Sequence, residues 1–94
     1  MDTPLDRLTS PAPTALARYE AATAPDGWLT ADGWLRLADD LAAQAGRAAS
    51  MAIYHEVERG DDATATACTA RADKLWDRAA DCRSRAARMT RGAP

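Results

Sequence analysis

The side chains able to do chemistry are few, and their spacing points away from catalysis. One histidine, His55, and two cysteines, Cys68 and Cys82, supply the imidazole and thiols of the chain. A zinc site draws its ligands from closely spaced Cys or His pairs, and separations of 13 and 14 residues give none. On one helix Cys68 and Cys82 stand about 21 Å apart at 1.5 Å per residue, beyond disulfide reach. No glycine-rich phosphate loop and no nucleophile elbow is present. Asp39-Asp40 lies near Arg36 and reads as a solvated pair rather than a general acid and base. The expectation is a protein without catalytic residues, without a metal and without a cofactor.

Two sets of residues remain as candidates for binding. The first is basic: Arg71, Lys74, Arg78, Arg85 and Arg88 recur on one side of a helical second half, interrupted by Asp81. Such a stripe follows a phosphate backbone or meets an acidic protein surface. The competing reading is a solvated face, because Lys74–Asp77, Arg78–Asp81 and Asp81–Arg85 are ordinary helix pairs. The second set is apolar. Leu35, Ala42, Ala49, Ile53 and Val57 form a stripe off the main hydrophobic seam of the first half, answered by Trp76, Ala80 and Ala87 in the second. Leu35, Ile53, Val57 and Trp76 are the expected contacts for a partner.

The elements that position these residues follow from periodicity. Cys68, Ala72, Leu75, Ala79, Cys82, Ala86 and Met89 step by four and three without a break. Trp34, Ala38, Leu41, Ala45, Ala48, Ala52 and His55 carry the same rhythm, the signature of helices packed lengthwise. Gly60 suits a left-handed helix stop, and Asp61 or Asp62 a new cap. The reading is therefore all-α: a long antiparallel hairpin of two 29-residue arms, Ala31–Arg59 and Ala63–Arg91, folded about Gly60. A shorter helix, about residues 14–23, is capped by Ser10 or Thr14 and completes a three-helix bundle. Thr30 caps the first arm, with Leu29 reaching Trp34 as a hydrophobic staple. Trp28 is expected to pack over the junction. Gly46 is the weak point of the first arm, yet the seam stays in phase across it, so the helix is read as unbroken, with Gly46 making room for Trp76. A second copy would complete a four-helix core.

Composition bounds the rest. Ninety-four residues make one small domain, 14–94, preceded by a flexible segment over 1–13 that carries Pro4, Pro11 and Pro13. Much of the 47% hydrophobic content is Ala, Phe is absent and Ile occurs once. So lean a core favours self-association or a partner. The net charge of −2 argues against nucleic acid as the main partner while leaving the basic stripe open to it. No signal-peptide pattern follows Met1, no run is long enough to span a membrane, and the cysteines read as reduced thiols, so a cytoplasmic location is expected.

Tyr54-His55-Glu56-Val57-Glu58 matches the Tyr-x-x-x-acidic signal of WXG-type hairpin proteins, which this chain also resembles in length and two-helix plan. In those proteins the signal follows the second helix, whereas here it precedes a turn, Arg59-Gly60-Asp61, that lacks Trp-x-Gly. The likeness is one of gross shape and assigns no family. The residues together point to a non-enzymatic helical interaction module, such as an adaptor, assembly protein or inhibitor of the kind phage and mobile elements carry. A protein partner of unspecified identity, or a second copy, is the expected occupant of its apolar stripe.

Overall fold

The computed structural model describes residues 14–92, and the segment expected to be flexible, 1–13, lies outside them. Three helices follow in order: α1 (Ala15–Thr23), α2 (Ala31–Val57) and α3 (Asp62–Arg91). Among the described residues there is no strand. α2 and α3 pack along each other as a hairpin, and α1 lies against both at the end away from the turn.

Each helix begins where a short polar side chain can take an orphan amide. Thr14 accepts from the Ala17 N–H at 3.0 Å, Thr30 from the Gly33 N–H at 3.0 Å, and Asp61 from the Thr64 N–H at 3.1 Å. Asp61 also accepts the Thr64 hydroxyl at 2.6 Å. The Thr64 hydroxyl and amide together hold the Asp61 carboxyl below its ordinary pKa. α2 stops two residues short of Arg59 because Glu58 and Arg59 are used in the turn. Gly60 takes φ +60, which only glycine adopts without strain, and the Asp61 N–H closes back on the His55 carbonyl at 2.8 Å. Gly27 makes the other tight return. A Cβ there would stand 2.2 Å from the Ala21 carbonyl oxygen, so no other residue fits.

The core sits between α2 and α3 and is fullest where α1 joins them. Leu41, Leu75 and Cys82 are its largest wholly enclosed side chains, with Trp34 and Leu37 close behind. Ala38, Ala45, Ala79 and Ala86 fill the spaces between, so large side chains meet small ones across a close helix approach. Arg85 lies over Trp34, and Ala48 and Met51 share a groove with Cys68 and Arg71, fixing a register in which facing residues sum to about 119.

Three packing expectations need correction. α2 does run unbroken through Gly46, but a Cβ built there meets nothing within 4 Å, so Gly46 makes no room for Trp76 in its own hairpin. Met89 is exposed, since its level lies at the very start of α2 and little stands opposite. Trp28 is 74% exposed and reaches out beside the α1–α2 junction instead of closing over it.

Candidate functional site

At about 100° per residue, Leu35 and Ile53 point the same way, five turns apart, with Ala42, Gly46, Ala49 and Val57 within roughly 40° of them. Leu37 and Asp40, which meet α1, lie about 140–200° round the helix from that stripe. On α3, Trp76, Ala80 and Ala87 share the stripe's side of the hairpin, whereas Arg78, Asp81 and Arg85 share the side of α1. The hairpin thus has two unlike faces. α1 covers one near its open end and leaves the other bare.

The covered face is closed by polar chemistry. The Tyr19 hydroxyl donates to Asp81 at 2.7 Å, and Arg85 Nε donates to the same carboxylate at 2.8 Å. Arg78 stacks over the Tyr19 ring with its guanidinium carbon 5.6 Å from the ring centre, and Arg85 over Trp34 at 5.1 Å. Arg18 on α1 pairs with Asp40 on α2 at 2.6 Å. Partial burial pushes the Asp81 pKa upward, but the bonds from Arg85 and Tyr19 outweigh it and the carboxyl stays below its ordinary value. Burial, then the bond to Asp81, raises the Tyr19 phenol.

This network takes up part of the basic stripe. Arg78 and Arg85 are half-buried against α1 and Trp34, while Arg71, Lys74 and Arg88 are exposed on either side of them. The five residues share one side of α3, but Tyr19 stands in the middle of the row. That interruption could not be read from spacing, because it depends on a hydrogen bond between residues 62 apart in the chain.

The bare face brings the apolar candidates together. Leu35 is 46% exposed, Ile53 63%, Val57 70% and Trp76 45%. The stripe reasoning missed Met51 and Tyr54, which are also exposed nearer the turn, off the stripe. Their signal was their position in the half of α2 that lies beyond the reach of a nine-residue α1.

The remaining candidates are modest. A cleft of about 520 Å³ opens between the end of α1 and the start of α2, walled by Ala22, Trp28, Leu29, Arg36 and Leu37. His55 is half-buried, meets Tyr54 edge-on at 5.3 Å, and lends its carbonyl to the turn. Cys82 is wholly enclosed, and burial pushes its thiol up to about 11. Cys68 is half-buried. Among the described residues no three His, Cys, Asp or Glu side chains gather as metal ligands would, and no helix is long and apolar enough to cross a membrane.

No protein-family model, no curated protein and no solved structure matches the chain.

Proposed function

We propose that this protein is a non-enzymatic interaction module whose bare face, centred on Ile53, Val57, Leu35 and Trp76, docks a protein partner. The observation that carries the reading is the exposure of Ile53 and Val57, 63% and 70%, on the face that α1 does not cover. Burying either side chain fully is worth about 1.5–3 kcal/mol, a large share of a small domain's margin. A partner that covers them recovers this free energy, which the thin alanine seam between α2 and α3 does not supply. A nucleic-acid reading is weaker, since Arg78 and Arg85 are engaged within the fold.

A photo-crosslinking residue at Ala80, on the bare face, is expected to capture a discrete protein adduct in the cells that make this protein. The same residue at Ala67, on the other side of α3, is expected to capture none. Ile53→Asp with Val57→Asp should abolish the adduct while leaving helix content intact. Absence of any adduct at Ala80, together with tight duplex-DNA binding that weakens steeply with salt, would reverse the order of the two readings.

A further inference from the structure

We infer that the occupant of the bare face is a second copy of this chain, laid on it so that α2 of each copy covers α3 of the other. The inference rests on the docking reading above and adds the partner and its register. Two observations choose a second copy over a generic apolar partner.

The first is fit. With a two-fold axis along the hairpins, both Gly60 turns fall at one end, and the levels that match α2 to α3 within a copy also match α2 to α3 between copies. Trp76 of the second copy then stands over Ala42, Gly46 and Ala49. These three leave a shallow depression, since even a Cβ at Gly46 would meet nothing within 4 Å. Because a helical side chain leans toward its own N-terminus, the indole swings over Gly46 itself. Leu35 lies over Ala87 of the second copy, and Ile53 over its Thr69. Large meets small at each level, as it does inside the hairpin. Gly46 thus has room for Trp76 after all, but for the tryptophan of another copy.

The second observation is charge. On the bare face α3 presents Arg83 and Arg91 together with Asp62 and Asp73, because its other five basic side chains lie on the side of α1. Near the open end of the bare face the sorting is sharpest, with Asp32 and Asp39 on α2 and Arg83 and Arg91 on α3. At the open end, turns-together packing sets Asp32 and Asp39 of one copy against Arg83 and Arg91 of the other. Turn-over-open-end packing would lay α2 on α2 and separate these pairs. Complementary edges of this kind fix register more than they add affinity.

Sedimentation equilibrium on the full chain is expected to give a dimer that Ile53→Asp with Val57→Asp weakens by roughly tenfold or more. Register is read by mixing two single-site variants in a Cys68→Ser background, Cys82 being enclosed. Leu35→Cys mixed with Ala87→Cys should give a mixed disulfide dimer under mild oxidation. Leu35→Cys mixed with Ile53→Cys should not, and its preferential formation would overturn the register. A parent that stays monomeric at millimolar concentration overturns the dimer. In that case an Ala80 adduct with a different protein leaves the docking reading standing alone, whereas an adduct to residues 1–13 of the same copy overturns both.

Discussion

The same two helices behave differently at the two ends of the hairpin. At the open end, α1 adds Ala15, Leu16, Tyr19 and Ala22 to the seam, and Trp34, Leu37, Leu41 and Leu75 are buried around them. Toward Gly60 the seam consists of Ala52, Ala65 and Ala72, while Met51, Ile53, Tyr54 and Val57 point outward. Two helices whose facing positions are alanines can approach closely, but they enclose little apolar area. Only a third surface converts large side chains into core. The open end has that surface in α1, and among the described residues the turn end has none.

Truncation should expose this contrast most strongly. Leu75→Ala removes a side chain that is 1% exposed and should cost about 2–5 kcal/mol in urea unfolding. Ile53→Ala, measured where the chain is monomeric, should change stability by no more than about 0.5 kcal/mol. Comparable losses from both would erase the distinction between the ends.

The polar closure under α1 should matter less than the core, but measurably. Tyr19→Phe removes the donor to Asp81 and should cost about 0.5–1.5 kcal/mol. Acid sharpens the point. The folded pKa of Asp81 lies below its ordinary value, so its stabilisation is complete above the unfolded carboxyl range and is lost as pH falls through the folded value. Between pH 5 and 2 the urea midpoint of the parent should therefore fall more steeply than that of Asp81→Asn. Parallel slopes would mean that the carboxylate contributes nothing to holding α1 in place.

The one gain in stability should come at Gly46. With open space at its Cβ position, Gly46→Ala should stabilise the monomer by about 0.5–1 kcal/mol through helix propensity alone. A loss of monomer stability would mean that the backbone there is packed after all.

Signals confined to a few residues were legible in the sequence. Thr14, Thr30, Asp61 and Gly60 each act within one helical turn, and each takes the role its chemistry implied. The hairpin was legible as well, because a repeat of fours and threes leaves little choice of partner. Leu37 and Ala65 escaped because a buried helix face is wider than one such row. The mistaken pairing of Gly46 with Trp76 had another cause: matching levels along two helices says nothing of rotation about them. The docking side of α1 depends on the path of residues 24–30 and on Tyr19 meeting Asp81, and neither leaves a local mark. The apolar stripe was readable as a pattern, but the exposure of Leu35, Ile53 and Val57 follows from α1 lying on the opposite face.

The enclosure of Cys82 gives the protein an internal clock. A thiol-modifying reagent meets Cys68 in the folded chain, because that side chain is only half-buried, but it reaches Cys82 only when α2 and α3 part. Burial also keeps the Cys82 sulfur protonated and unreactive until then. Its rate of labelling relative to Cys68 therefore counts separations of the hairpin arms, one molecule at a time, without any probe being added.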